Sequence, residues 1–219
     1  GNLQRARVLR FNPMATTKRQ PRSDTRTRIL DVAERLVQSR GFNAFSYADI
    51  AGELGVTTAS LHYHFAGKSE LGRALIARYA ARFNDALDGI DARLADAQAR
   101  LNAYAGLYSD LLQQGRFCLC GMLAAEYETL PEPMRSAVVD FFDRNEAWLS
   151  SVLELGEGQG TLRLTGERAD VARLIISGLE GAMLVTRPYG DVARFKAAAV
   201  QLLASLAGAG KAQSRAALG

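Results

Sequence analysis

Apolar residues recur at three- and four-residue intervals along most of the chain, the spacing of one helix face; strand-like alternation with paired turns is missing. Ile29, Val32, Ala33, Leu36 and Val37 form the first such stripe, with Arg26, Arg28, Glu34 and Arg35 mostly off it. This predicts a helix from about Asp24 or Thr25, closed by Gly41, since a residue without Cβ takes the left-handed conformation at a helix end freely. Ser46 then caps a short second helix, and Asp49 answers it in the manner of a capping box; Ile50, Ala51 and Leu54 face inward and Gly55 ends it. Thr57 caps a third helix from Thr58 to about Phe65. A long fourth helix follows, with Ser69 as its expected cap and Leu71, Leu75, Ile76, Tyr79 and Phe83 on its apolar face.

The remaining pattern predicts helices over residues 91–113, 119–128, 134–155, 167–186 and 192–206. Gly115, then Pro131 and Pro133, a glycine-rich loop over residues 156–160, and Pro188 with Gly190 separate them. The fold class is therefore all-α, with about nine helices: a three-helix N-terminal head and a C-terminal helical bundle. The expected divisions are a disordered basic arm over 1–22, the head over 23–68, the bundle over 69–207 and a disordered tail over 208–219. Met14 is a candidate natural start.

Charge adds a direction to this picture. Residues 1–83 carry a net charge of +8 and residues 84–219 a net charge of −4. A basic end suggests contact with a polyanion, although a solvated basic tail gives the same count. The chain lacks a secretory h-region and any stretch approaching ~20 apolar residues, so a cytoplasmic protein without a membrane span is expected. Only two cysteines occur, Cys118 and Cys120, too close along the chain to build a disulfide framework.

The stretch from Ser46 to Lys68 reads SYADIAGELGVTTASLHYHFAGK. Two short helices meet at a tight turn, Gly55 sits where a reversal needs it, and Val56 plugs the angle between them: a helix-turn-helix. The second of these helices presents Thr57, Thr58 and Ser60, then His62, Tyr63 and His64. Such short or planar hydrogen-bonding groups reach phosphates or base edges in a major groove. Lys68, just beyond, is expected to add a point charge against the DNA backbone.

These residues resemble the DNA-binding signature of the TetR family. Gly41-Phe42 stand where that family closes its first helix, and Ser46 where a hydroxyl caps the second. Ile50-Ala51 and Gly55-Val56 follow in order, and the recognition helix ends in His62-Tyr63-His64-Phe65, with Lys68 and Glu70-Leu71 beyond. One position departs: His62 stands where the family usually has tyrosine, and Tyr63 is placed to take over part of that role. The resemblance implies a one-component transcriptional regulator, most simply a repressor. Its DNA-contacting set would be Arg28, Ser46, Tyr47, Thr57, Thr58, Ser60, His62, Tyr63, His64 and Lys68.

The resemblance also implies an effector pocket in the bundle and a homodimer built by the last two helices on a palindromic operator. Val171, Leu174, Ile175, Leu179, Val200, Leu203 and Leu206 offer apolar faces for that interface, and Gly178, Gly181 and Ala182 would allow close approach. Tyr104, Tyr108, Cys118, Met122, Phe141 and Trp148 are the candidate effector residues, apolar bodies with a few polar tips. Some branches of the family carry a cysteine at the position of Cys118. With Arg116 nearby and a helix N-terminus beneath it, Cys118 could be an acidic thiol that reacts with oxidants or electrophiles, with Cys120 beside it. The more ordinary reading of both is that of small buried hydrophobes.

Other functions find less in the chain. No cofactor motif, nucleophile–base pair or metal-ligand spacing stands out, and the glycines of residues 156–160 follow no strand. His62 and His64 point about 200° apart on a helix, so one ion is not easily shared. The alternatives are a ligand-binding helical protein, or an enzyme, whose head does not bind DNA.

Overall fold

The computed structural model describes residues 22–208. Among them lie nine α-helices: α1 (Arg22–Arg40), α2 (Tyr47–Leu54), α3 (Thr58–His64), α4 (Lys68–Arg93), α5 (Ala97–Gln113), α6 (Leu119–Ala125), α7 (Glu132–Gly158), α8 (Arg168–Thr186) and α9 (Val192–Ala204). Short 3₁₀ turns at Tyr127–Thr129 and Arg187–Tyr189 join α6 to α7 and α8 to α9. The basic arm, Met14 within it, and the tail fall outside the described residues except at Arg22 and Gly208.

α1, α2 and α3 form the head. Ile29, Ala33, Val37, Ile50, Leu61 and Phe65 lie at its centre with almost no exposed surface. The remaining helices form the body, where α7 and α8 pack along each other and α9 closes against α8 and α5. α4 belongs to both, running without a linker from the head into the body. Glu34 of α1, buried, receives Arg78 (2.7 Å) and Arg82 of α4, and Arg78 also reaches Asp31 at 2.7 Å. Glu34 is buried while its partners reach solvent, so losing both arginines would leave its carboxylate unpaired inside the contact between α1 and α4.

The element order follows the sequence pattern, and the differences have local causes. α4 starts at Lys68 with Gly67 as a cap that has no side chain to offer, instead of Ser69. Glu70 compensates by accepting the Ala66 N–H at 2.8 Å. The helix expected over 91–113 starts later, at Ala97. α4 continues to Arg93, the chain turns through Leu94, and Asp96 caps α5 by accepting the Ala99 N–H at 2.8 Å. Arg100 clasps the corner, donating to the Leu94 carbonyl at 2.7 Å and to Asp91. The glycine-rich loop over 156–160 also differs: Gly156 and Gly158 lie inside α7, and only Gly160, at φ +65°, needs a left-handed backbone. A Cβ on Gly156 would stand 2.2 Å from Leu162, so this glycine lets the following chain pass close to the helix.

Candidate nucleic-acid interface and effector groove

The head is built from local capping. The Ser46 side chain accepts the Asp49 N–H, and the Asp49 carboxylate accepts the Ser46 N–H at 2.6 Å, giving α2 the full capping box. Gly55 ends α2 at φ +66°, and the half-buried Val56 packs against the head core. Thr57 caps α3 by accepting the Ser60 N–H at 3.2 Å. With Leu61 and Phe65 turned inward, Thr57, Thr58, His62 and Tyr63 are exposed, Ser60 and His64 partly so. Arg28 lies half-buried on α1.

The aromatic end of α3 divides its work. Tyr47 donates from its hydroxyl to the Phe65 carbonyl (3.0 Å), and its ring lies 4.7 Å from that of His62. His62 Nδ1 faces the Ala66 carbonyl at 3.2 Å; a carbonyl only accepts, so Nδ1 carries the proton and Nε2 is directed elsewhere. Burial, aided by Glu70, pushes the Tyr47 phenol up to about 12. Tyr63 projects instead, with 64% of its surface exposed and its ring edge-on to His64. The departure at position 62 is thus accommodated by pairing His62 with Tyr47 while Tyr63 points outward.

Lys68 corrects an expectation. Its ammonium does not extend toward solvent. It donates to the Phe42 and Phe45 carbonyls, each at 2.5 Å, and sits over both rings, 4.7 and 4.3 Å from their centroids. Burial pulls its pKa below the ordinary lysine value, against the pull of Glu126 and Asp49. Lys68 therefore holds the turn between α1 and α2, whose carbonyls have no helical partner.

The same turn is held from the body. Glu126, just after α6, accepts the Phe42 N–H at 2.6 Å and the Asn43 N–H at 3.2 Å, while Asn43 donates to Thr129 at 2.7 Å. At the other end of this segment the Phe117 N–H donates to the Gln38 carbonyl of α1 at 3.1 Å. Arg187, in the turn after α8, donates to the Ser39 carbonyl at 2.8 Å and stacks over Phe117. Residues 117–126 are thus fastened to the head at both ends. None of Glu126, Phe117 or Arg187 carries a sequence signal for this role, because their partners are backbone atoms distant along the chain.

The candidate effector residues separate into two groups. Tyr104, Tyr108 and Phe141, each at most 2% exposed, belong to an aromatic core with Tyr79 and Phe83. Tyr104 donates to Asn145 Oδ1 at 3.1 Å and meets the Tyr108 hydroxyl at the same distance. Burial raises both phenols well above their ordinary range. Trp148 stacks on Tyr104 and donates to Asp91 at 2.9 Å. These four side chains fill the body, and their polar tips already have protein partners.

Cys118 and Met122 instead line a groove of about 300 Å³ between α6, α7 and α8, with Phe117, Phe142, Met183 and Leu184. The acidic thiol expected at Cys118 is not what the structure shows. Both cysteines are buried, and burial together with the nearby Glu180 carboxylate pushes their thiols well above the usual range. A neutral thiol is a poor nucleophile. Cys118 Sγ instead caps α6, accepting the Gly121 N–H at 3.4 Å. Glu180 is the residue that reading the sequence missed. Its signal was visible: it is the only charged side chain between Arg173 and Arg187.

The face expected for self-association is also partly internal. Val171, Ile175, Leu179, Leu203 and Leu206 are buried within the chain, and a Cβ on Gly178 would meet Leu202 at 2.7 Å. Five of the seven apolar positions named for the interface thus serve the subunit's own core. Leu174, Leu184, Val185 and Val200 remain exposed, and Gly181 is open. No helix among the described residues is long and apolar enough to cross a membrane.

Comparison with known proteins agrees with this architecture. Residues 29–75 match the model of bacterial regulatory proteins of the tetR family, and residues 97–202 match that of the tetracyclin repressor-like C-terminal domain. A TetR-family regulator from Agrobacterium tumefaciens superposes with a TM-score of 0.82 at 34% identity, over 85% of this chain and 99% of that one. One from Legionella pneumophila gives 0.76 at 31% identity, over 83% and 97%. The transcriptional repressor NemR of Escherichia coli is 29% identical over 172 residues, 74% of this chain and 83% of its own length. With a capped helix-turn-helix head, a helical body and both family domains in order, the chain belongs to the TetR family of transcriptional regulators, DNA-binding proteins with an effector-binding domain.

Proposed function

We propose that this regulator is a repressor that grips a palindromic operator as a homodimer and lets go when a small molecule enters the groove between α6, α7 and α8. One observation carries the reading: residues 117–126 line that groove on one side and are bonded to the head on the other. A ligand that displaces α6 then necessarily moves the turn between α1 and α2. It acts only through its different affinity for the two positions of the head. The long α4, tied to α1 through Glu34, Arg78 and Arg82, supplies a second connection.

Thr58, Ser60, Tyr63 and His64 of α3 are the groups we assign to DNA, with Arg28 on α1. Ser46, Thr57, Tyr47 and His62 shape the head, through capping and the Tyr47–His62 pair, and reach DNA only with the surface they have left. Two recognition helices about 34 Å apart would read successive turns of an operator in the cytoplasm. The test is a salt-dependent shift of promoter fragments bordering the protein's own gene. Absence of specific binding at low salt overturns the reading. Within that assay Thr58→Ala is expected to cost about tenfold on the preferred site and to relax discrimination at one base position. Tyr63→Phe should weaken binding to all sequences alike. The opposite pattern would exchange their roles.

Leu174 and Val200, exposed on α8 and α9, are the core we assign to the dimer interface, together with Val185. Leu174→Asp with Val200→Asp places uncompensated carboxylates there. The double variant should elute as a monomer with an unchanged circular dichroism spectrum. Its operator affinity should fall about a hundredfold or more, since two linked heads lose their mutual effective concentration. A variant that stays dimeric moves the interface elsewhere.

A further inference from the structure

We propose that the groove between α6, α7 and α8 binds a small organic cation, an ammonium or amidinium on an apolar body, with the Glu180 carboxylate as its counter-ion. The proposal rests on reading this groove as the effector site and adds the chemical class of the effector. Glu180 is the one charged side chain among those lining the groove; the rest are apolar, small or sulfur-bearing. Its Oε1 is out of reach of solvent and accepts no hydrogen bond. Among the described residues it forms no ion pair, although eight ion pairs link one helix to another.

The opposite wall is shaped to receive this carboxylate. Gly121 of α6 faces it, and a Cβ there would stand 2.2 Å from Glu180 Oε2. Any larger residue at 121 would push the carboxyl away. The Cys118 thiol is a hydrogen-bonding neighbour, and a thiol is a weak donor. A buried carboxyl so poorly supported is costly in its charged form, and burial raises it to about 7. A bound cation supplies the missing counter-charge in a low-dielectric wall, where charge-assisted hydrogen bonds are strongest. Phe117 and Phe142 suit the apolar body and the positive charge, and Met122 and Met183 adapt to its outline. The Arg187 guanidinium lies 4.9 Å from the centre of the Phe117 ring, so that ring already engages a cation. A volume of about 300 Å³ admits a single ring or a short chain. An anion of that size would face Glu180 directly.

The groups around Glu180 leave it as the one that titrates near neutrality. Cys118 and Cys120 of α6, Tyr79 of α4, and Tyr104 and Tyr108 of α5 are all held above their ordinary values by burial, hence neutral. Cation binding requires the carboxylate and expels its proton when one is present. Affinity should therefore rise with pH up to about 7 and level off above.

The experiment is calorimetric titration of the full chain with benzamidinium, benzyl alcohol and benzoate, each also added to the operator complex. The cation should bind best, weaken with falling pH below about 7 and lower operator affinity. In Glu180→Gln its affinity should drop about tenfold or more while that of benzyl alcohol stays the same. Ala125→Leu, which enlarges an apolar side chain on the groove wall, should weaken both. Melting curves and unliganded operator affinity of each variant show that the fold is retained. Equal binding of cation and alcohol, or a cation affinity unmoved by Glu180→Gln, overturns the proposal while leaving the groove as the effector site. No binding by any probe overturns it as well, and operator binding without ligand tests the repressor reading separately.

Discussion

Lys68→Met should lower the stability of this protein by about 2–3 kcal/mol, because two carbonyls lose a charged donor that no water can fully replace. For a chain of this length that is a fall in melting temperature of roughly 4–12 °C. Methionine keeps most of the apolar stem between Phe42 and Phe45, so the loss is chiefly that of the ammonium. Operator affinity should drop through misplacement of the turn joining α1 and α2, while the dependence of affinity on salt concentration keeps its slope. A lysine neutralising one phosphate would behave in the opposite way: the slope would flatten by nearly one unit and the melting temperature would hold. Melting curves and a salt titration of operator binding together decide between the two. A flattened slope with an unchanged melting temperature would return Lys68 to the DNA backbone.

Phe141→Ala should be more severe. Phe141 is 2% exposed and touches Tyr79, Phe83 and Phe142 edge-on or tilted, at centroid distances of 5.2–5.6 Å. Truncating such a ring costs about 3–5 kcal/mol, made of lost burial and of the cavity left behind. The protein should melt roughly 6–20 °C lower. If Phe141 served a ligand, alanine would instead weaken effector response in a protein of normal stability. Thermal unfolding without ligand distinguishes the two, and an unchanged transition would reinstate Phe141 as a binding residue. Met122→Ala provides the contrast. Met122 is half-buried on the groove wall, so its loss should alter ligand affinity more than stability.

The two expectations share a cause. A side chain with a ligand-like composition is ambiguous until its neighbours are known. Aromatic rings with hydroxyl tips suit a cavity and a core equally, and in this body Asn145 and Asp91 satisfy the tips of Tyr104 and Trp148. A lysine beyond a recognition helix is equally ambiguous, since its reach of four methylenes lets it turn to DNA or back to a carbonyl. Here the open carbonyls at Phe42 and Phe45 are near enough to hold it. Cys118 follows the same rule with the opposite sign. Arg116 nearby in sequence suggested an acidic thiol, whereas burial, helped by Glu180 nearby in space, raises it.

What the sequence determined by itself is what depends on neighbours within a few residues. The capping box of Ser46 and Asp49, the left-handed Gly41 and Gly55, the cap at Thr57 and the inward stripe of α1 are set by local backbone chemistry. They were legible because a helix end must satisfy its own amides from the next turn. The order of nine helices and the density of family residues between Gly41 and Leu71 came from the same source. Only the tertiary structure decided which apolar faces close inward, as Val171, Ile175 and Leu203 do while Leu174 and Val200 stay outside. It alone placed Glu126 on the turn between α1 and α2, 84 residues away, and Glu180 against Gly121. These are long-range pairings between one side chain and one bare backbone position. Periodicity cannot show them, because they arise from where helices cross and not from what repeats along any one of them.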